Sequence, residues 1–244
     1  MPMASEPTGR GSTRSAVVWA GLEPVLAQGE GRPRDVLDIG GGTGGLAVRI
    51  GRLGHRVTVV DPSPDALAAL DRRAREHDVA VTGRQGDLSS LLDVVDPDSA
   101  DVVLCHGVLE VVDDSAAALE TLARVVRPGG VLSLLVAQRH AAVVARAMAG
   151  HFQQALEMLD PAPGAVGRSG RRYSHDELTT LVRGAGLTVD TVHAIRVFTD
   201  LVPGSLLDLE PGASAALVEL EQAVATRPEY LPLATQLHLL AHRP

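Results

Sequence analysis

Short apolar runs alternate with amphipathic segments through the first two thirds of the chain. Apolar runs such as DVLDI at 35–39 are typical of strands buried on both faces of a sheet. Between them, segments such as 63–77 carry apolar residues at helical spacing, here with Ser63 as N-cap and Pro64 in the first turn. The predicted strands are 35–39, 56–61, 79–87, 101–105 and 129–137, and the predicted helices are 43–54, 63–77 and 114–126. This alternation predicts a doubly wound α/β fold, with a mostly parallel sheet and right-handed crossovers.

The alternation stops after Ala137. Residues 138–159 predict one or two helices, and a loop rich in Pro, Gly and Arg follows at 160–172. A new helix is predicted from Ser174, where Ser174 and Glu177 have the spacing of a capping box. The remaining predicted elements are strands at 187–198 and 233–243 and a helix near 213–226.

These segments suggest four parts. We expect an N-terminal helical cap at 1–34, a nucleotide-binding core at 35–137, a substrate-cap insertion at 138–173, and the rest of the core at 174–244. The last part contains a helical insertion near 200–231. Whether residues 161–172 close as a lid, and how many copies assemble, are questions the pattern leaves open.

Charge and composition narrow the function classes. The chain has 244 residues and a formal net charge of −8, so no overall basic field attracts nucleic acid, although a local patch can still act. No apolar run reaches the roughly 20 residues of a membrane span, and no signal peptide is visible at the start. The single cysteine, Cys105, rules out an internal disulfide and fits a cytoplasmic location.

The segment DVLDIGGGTGG at 35–45 matches two fingerprints. Gly40, Gly42 and Gly45 match G-x-G-x-x-G, typical of dinucleotide binding. The second pattern, D-x-G-x-G-x-G, uses Asp38 and Gly44 with two of the same glycines. The first indicates an NAD-binding oxidoreductase, and the second indicates a methyltransferase that uses S-adenosylmethionine.

The carboxylate of Asp38 distinguishes between these two functions. A buried carboxylate needs a polar or cationic partner and would repel a pyrophosphate, whereas S-adenosylmethionine brings an ammonium group and a sulfonium. Further acids follow at predicted strand ends: Asp61 can bind ribose hydroxyls, and Asp87 can accept from an adenine amino group. Together with Arg127-Pro128-Gly129-Gly130 before the fifth strand, this ordered set favours S-adenosylmethionine.

The whole chain resembles the class I S-adenosylmethionine-dependent methyltransferases, which have seven strands with the last antiparallel. More narrowly, it resembles the bacterial tRNA 5-carboxymethoxyuridine methyltransferase group, which converts the carboxylate of a modified wobble uridine to a methyl ester. Besides the cofactor motifs, the resemblance includes the segments STRSAVVWAGLEPVL, MAGHF, AIRVFTDLV and the final VELEQAVATRPEYLPLATQLHLLAHRP.

The resemblance implies roles for several residues. Arg14 would bind the cofactor carboxylate, and His106 would lie near the sulfonium. The remaining implied cofactor contacts are Gly40 and Gly41 with the methionine moiety, Asp61 with ribose, and Asp87 and Leu88 with adenine. One family segment rich in lysine is replaced here by GAVGRSGRRYS, which keeps Arg168, Arg171 and Arg172. A small carboxylate or other metabolite therefore stays open beside tRNA as the acceptor.

The acceptor decides whether catalysis needs a base. A carboxylate is ionised at pH 7 and needs only alignment, whereas a hydroxyl or amine needs a base such as His106, His140 or His193. We expect catalysis by proximity, with no essential base. Candidate substrate contacts are His140, Tyr173 and Arg196, the last because a charge within the apolar strand AIRVF needs an anionic partner. No Cys or His spacing predicts a metal site.

Overall fold

The computed structural model describes residues 10–29, 31–159, 170–209 and 211–244. Its centre is a seven-stranded sheet with the order β3-β2-β1-β4-β5-β7-β6. The strands are β1 Asp35–Ile39, β2 Arg56–Asp61, β3 Val81–Gln85, β4 Ala100–His106, β5 Val126–Ala137, β6 Thr188–Ile195 and β7 Gln236–His242. Only β7 runs antiparallel to its neighbours, β5 and β6. The predicted doubly wound, mostly parallel fold is therefore confirmed.

Helices cover both faces of the sheet. They are α1 Arg10–Ala27, α2 Gly45–Gly51, α3 Pro64–Glu76, α4 Leu91–Val94, α5 Ser115–Val125, α6 Arg139–Met148, α7 Phe152–Glu157, α8 His175–Gly184, α9 Gly204–Leu209 and α10 Ala213–Val224, followed by a 3₁₀ helix at Pro228–Leu233. None of the described helices is both long and apolar enough to cross a membrane.

Alternate strand residues pack on opposite faces, as the pleat requires. On one face, Val102, Leu104 and Leu135 pack against α1 and α2. On the other face, Val103 and Leu134 join the core that includes α5 and α8. Because β1 and β4 are neighbours while their flanking strands lead in opposite directions, the strand order reverses between them. In sheets of this kind ligands bind at such a reversal, in a crevice outside the carboxyl ends of the strands.

The beginning of β5 differs from the prediction. Residues 127–130 were expected to precede the strand, but β5 begins at Val126, paired with Ala100, and its register to β4 then shifts. The Arg127 guanidinium bonds Asp35 and Asp101 at the amino ends of the strands, far along β1 from the glycine turn. This arginine therefore ties strands together at the edge opposite the crevice.

The segments that follow β5 agree with the prediction except at the start of α8. Residues 138–159 form two helices, α6 and α7, and most of the predicted loop at 160–172 lies outside the described residues. Ser174 caps α8 by accepting the Glu177 amide at 3.2 Å. The Glu177 carboxylate does not complete a capping box, because it is bonded to Arg139 and Arg171.

Candidate functional site

The turn after β1 requires glycine at several positions. Gly40, Gly42 and Gly44 have φ values of 67°, 55° and 73°, in the left-handed region that side chains disfavour. A Cβ at Gly40 would lie 2.4 Å from Val108, and one at Gly44 would lie 2.0 Å from Leu70. The turn therefore holds the backbone close to the crevice, and α2 begins directly after it at Gly45.

Asp38 lies beneath this turn and is only 4% exposed. Burial, with a smaller contribution from Asp61, raises the pKa of Asp38 to about 7. None of the described residues donates a hydrogen bond to its side chain or pairs with it. A Cβ on Gly41 would come within 2.6 Å of the carboxylate, so the bare glycine keeps that oxygen approachable. A buried carboxylate of this kind needs a cation from a ligand.

Asp61 ends β2 next to the same turn. Its two carboxylate oxygens accept from the amides of Gly42 and Ser63, each at 2.9 Å. Asp87 is exposed after β3, and one of its oxygens accepts from Ser89 and Ser90. Leu88 is buried beside it. Both acids keep lone pairs for ligand hydroxyl or amino groups.

A row of polar side chains crosses the sheet on the α1 face. His106, at the end of β4, contacts Ser133 with 2.8 Å between Nε2 and Oγ, and the same Oγ lies 2.8 Å from Nε2 of His238. The ring of His193 stacks on His238 with centroids 5.3 Å apart. Burial, together with the positive charge of Arg14, lowers the pKa of His106 to about 3. This imidazole is therefore neutral and very weakly basic.

Two arginines, Arg14 and Arg172, lie near the buried carboxylate of Glu110, and a third, Arg196, lies near Arg14. Burial lowers the pKa of both Arg14 and Arg172, and the nearby Arg196 lowers the pKa of Arg14 further. The Glu110 carboxylate raises the pKa of both arginines. Neither Arg14 nor Arg172 has an ion pair within the described residues. Glu110 accepts the Ala137 amide at 2.8 Å through Oε1, while Oε2 is buried without a partner. Positive charge thus exceeds negative charge in this part of the crevice.

Comparison with known proteins places this crevice in a family. Residues 37–134 match the family described as "Methyltransferase domain". A ubiquinone biosynthesis O-methyltransferase of Xanthomonas euvesicatoria pv. vesicatoria is 32% identical, with the alignment covering 70% of each chain. The chain belongs to the S-adenosylmethionine-dependent methyltransferases. Their cofactor matches the site on chemical grounds, because Asp38 lacks a cation and the glycine turn leaves room for a ligand.

Two further comparisons cover nearly the whole methyltransferase. The tRNA 5-carboxymethoxyuridine methyltransferase of Escherichia coli K12 is 29% identical over 97% of this chain and 90% of its own length. The magnesium protoporphyrin IX methyltransferase of Synechocystis PCC 6803, solved with bound S-adenosylhomocysteine, superposes with a TM-score of 0.61 at 16% identity. It covers 96% of this chain and 83% of its own. The second likeness concerns the fold.

The structure brings Asp38, the glycine turn, Asp61 and His106 of the methyltransferase to one edge of the sheet, and α1 brings Arg14 toward His106 and Glu110. Their individual contacts with the cofactor stay predictions. Asp87 and Leu88 follow β3 at the same edge, where an adenine contact was expected. An NAD-binding oxidoreductase, the alternative from the glycine pattern, is not supported.

Two of the predicted substrate contacts, Arg196 and Tyr173, have partners within the protein that the sequence did not predict. Arg196 does not lie within a strand: it follows β6, adopts a left-handed φ of 59°, and pairs with Asp200. Tyr173 is fully buried, with its hydroxyl 2.7 Å from Ser115 Oγ and donating to the Leu109 carbonyl, so it supports the loop after β4 and meets no ligand as placed. Arg171 is neutralised by Glu177. His140 is exposed on α6, and its role stays a prediction.

Sequence reasoning missed Glu110, Ser133 and His238. Glu110 is the last residue of the segment CHGVLE, in which only His106 was predicted to be functional. Ser133 and His238 interrupt otherwise apolar strands at single positions, and this interruption was the available signal. Among the residues that the structure describes, no group of three or more His, Cys, Asp or Glu is suited to hold a metal ion. Cys105 is fully buried, and burial raises the pKa of its thiol, so it cannot act as a nucleophile as placed.

Proposed function

We propose that this methyltransferase O-methylates a carboxylate, and that the acceptor is a tRNA wobble uridine bearing a carboxymethoxy-like group. The observation that carries the proposal is the surplus of positive charge around Glu110. Arg14 and Arg172 are partly buried without ion pairs in the described residues, and Nε of Arg196 is buried without a partner although its Nη2 reaches Asp200. A guanidinium in such a place favours an anionic ligand with parallel hydrogen bonds.

The backbone of Arg196 supports this assignment. A left-handed conformation costs a non-glycine residue about 1–2 kcal/mol, and such strain tends to persist where a side chain must point in one direction. The fully buried carboxylate of Glu221 holds the segment after Arg196 by accepting the amides of Val197, Phe198 and Thr199 at 2.8–2.9 Å. The fold therefore constrains this arginine to a fixed direction.

The weak basicity of His106 also favours an ionised acceptor. A histidine whose pKa is about 3 removes a proton from a hydroxyl or amine poorly, because base catalysis works best when the pKa lies near the operating pH. A carboxylate is already ionised at pH 7 and needs no base. Reaction then depends on alignment and on excluding water from the attacking oxygen.

The roles of the residues follow from this chemistry. S-adenosylmethionine, when bound, supplies an activated methyl group for in-line displacement. Asp38 would bind its ammonium and Arg14 its carboxylate, while Asp61 would hold the ribose. Arg172 and Arg196 would orient the acceptor carboxylate and balance its charge until the neutral ester has formed. A small carboxylate would satisfy the same arginines, so tRNA is favoured here by the full-length likeness to the E. coli enzyme. A cytoplasmic location would suit that acceptor and stays a prediction.

The decisive experiment identifies the product. Purified protein is incubated with methyl-labelled S-adenosylmethionine and either RNA from cells that lack this gene or a set of small carboxylates. We expect label in RNA, found by nucleoside mass spectrometry as a methyl ester that mild alkali removes. Label in small molecules alone would contradict the tRNA part, and alkali-stable label would contradict the ester part. Activity on RNA should also fall steeply with salt, because phosphate contacts release counterions.

A matched pair of variants tests the anion site. Arg196→Met keeps much of the side-chain volume without the charge and should lower turnover at least about tenfold, which is about 1.4 kcal/mol of barrier, with cofactor affinity nearly unchanged. Arg183→Met is the control, because it makes the same substitution at an exposed arginine in the last turn of α8. Full activity of Arg196→Met in a folded protein would remove the anion site from the proposal.

Methylation of a hydroxyl is a second candidate, favoured by Glu110. Burial raises the pKa of Glu110 and leaves Oε2 unpartnered, so this carboxylate could accept a proton. The relative from Xanthomonas is named an O-methyltransferase of ubiquinone biosynthesis. Glu110→Gln separates the two candidates. If Glu110 is a base, turnover should fall about 10²–10⁴-fold. If the acceptor is a carboxylate, removing a negative charge beside it should leave turnover within a few-fold and improve acceptor affinity.

A further inference from the structure

The polar row on the α1 face, formed by His106, Ser133, His238 and His193, also constrains which ring nitrogens carry protons. Ser133 is 0% exposed and lies between two imidazoles, at 2.8 Å from each. A serine hydroxyl has one proton, so it donates to one ring and accepts from the other. The protonation of His106 is therefore tied to that of His238 through a single hydroxyl.

The surroundings of His238 determine which group donates in each of these two hydrogen bonds. Its Nδ1 is buried, and no described residue accepts a hydrogen bond from it. A proton on this atom would leave a buried N–H without an acceptor, which is costly and rarer in proteins than an unpartnered acceptor. The proton of His238 therefore belongs on Nε2, where it is donated to Ser133. The hydroxyl of Ser133 then donates to Nε2 of His106.

The packing of α1 maintains this arrangement. Gly21 faces both rings, and a Cβ there would lie 3.0 Å from Cε1 of His193 and 3.2 Å from Nδ1 of His238. Because His193 and His238 are direct partners in the β6–β7 register, the stack is fixed by the sheet as well. A side chain at Gly21 would therefore crowd both rings, and the bare glycine lets α1 pack closely on them.

We infer that Ser133 and His238 are positioning residues that hold His106 in the tautomer with its proton on Nδ1, so that the ring presents a hydrogen-bond donor to the acceptor carboxylate. Nδ1 of His106 has no hydrogen-bond partner among the described residues, and His106 is partly exposed whereas His193 and His238 are buried. A donor at this place can bind the carboxylate oxygen that does not attack. The nature of that ligand rests on the proposed function; the tautomer does not.

Histidine NMR tests the tautomer without any acceptor. In protein labelled with ¹⁵N-histidine, we expect His106 to show a pyrrole-type Nδ1 and a pyridine-type Nε2, with its signals assigned by their loss in His106→Gln. Ser133→Ala should release His106 toward the Nε2–H tautomer that free imidazole prefers in water. It should also lower turnover about tenfold, with cofactor affinity changed less than about twofold. Ser133→Thr keeps the hydroxyl and should restore both signals and turnover.

The outcomes are distinct. An Nε2–H tautomer for His106 in the unmodified protein, or an unchanged tautomer in Ser133→Ala, would overturn the inference. If Ser133→Ala does not fold, His238→Gln serves instead, because its amide also donates toward Ser133 and should keep His106 as Nδ1–H. An Nδ1–H tautomer found in an enzyme that methylates a hydroxyl would leave this inference standing and defeat the proposed function.

Discussion

Replacing Asp38 by Asn should stabilise the ligand-free protein while abolishing cofactor binding. Burial raises the pKa of Asp38 from an ordinary 3.8 to about 7. At about 1.36 kcal/mol per pKa unit, keeping this group ionised costs the folded state on the order of 4 kcal/mol at pH 8. An asparagine carries no charge but buries an unpartnered amide, which costs about 1–3 kcal/mol. The net gain should be about 1–3 kcal/mol in the free energy of unfolding.

The pH dependence gives a sharper signature. Because the folded pKa exceeds the unfolded value, the stability linked to this carboxyl is fully present below about pH 4 and is lost as pH rises toward and through about 7. Asp38→Asn should therefore gain most over the parent protein at pH 8 and little or nothing at pH 4.5. Urea unfolding at these two pH values measures the difference, with Asp96→Asn, at an exposed carboxylate, as the control.

Binding should change in the opposite direction. Calorimetry with S-adenosylhomocysteine should show affinity falling about tenfold per pH unit below 7 in the parent protein, because the cation requires ionised Asp38. The variant should bind too weakly to measure. A variant that is less stable than its parent at pH 8, or a parent affinity that is flat from pH 5.5 to 7, would refute the account of Asp38 as a buried, unpaired carboxylate.

Three other substitutions test separate parts of the structure. Arg14→Ala should weaken S-adenosylhomocysteine binding by about 1.5–3 kcal/mol in calorimetry, the scale of a charged hydrogen bond, and unchanged affinity would show that α1 does not contact the cofactor. Gly44→Ala should lower the free energy of unfolding by about 2–4 kcal/mol, because it combines a left-handed φ with overlap on Leu70. Gly42→Ala, with open space around its Cβ, should lose only about 1–2 kcal/mol; equal losses would contradict the packing argument. Glu221→Gln should cost about 1–3 kcal/mol in urea unfolding because one buried amide loses its acceptor, whereas exposed Glu219→Gln should cost almost nothing.

The fold and the cofactor half of the site could be predicted because their signals are local. Apolar runs and helical periodicity define the strand–helix alternation. Each glycine of the turn is required by its own backbone angles, which depend on no distant residue. Asp38 could be interpreted because a carboxylate next to a glycine turn on a buried strand has few possible partners. The single antiparallel strand, in contrast, came from the resemblance, since periodicity carries no information about strand direction.

The acceptor half depends on contacts between residues distant in sequence. The apolar pattern of AIRVF continues past Ile195, so it could not show that β6 ends there or that Arg196 turns toward Asp200. Tyr173 was predicted to contact the substrate, yet its hydroxyl bonds Ser115 and Leu109 in the core. A buried tyrosine hydroxyl usually requires such partners, and only the fold can supply them.

Two charged side chains of the site have opposite signs and make no ion pair in the part of the chain that the structure describes: Asp38 beneath the glycine turn and Arg14 on α1. Asp38 has no cationic partner, and Arg14 makes no ion pair within the described residues although Glu110 lies nearby, so each is costly in the ligand-free protein. The amino-acid end of S-adenosylmethionine carries one ammonium and one carboxylate, and it would relieve both costs at once. A ligand that pairs with two desolvated charges gains much binding free energy from few contacts. The cofactor would then have no need of Arg172 or Arg196. If the proposed function is right, these two arginines keep their charge for the acceptor carboxylate, which needs no base because it is already ionised at pH 7.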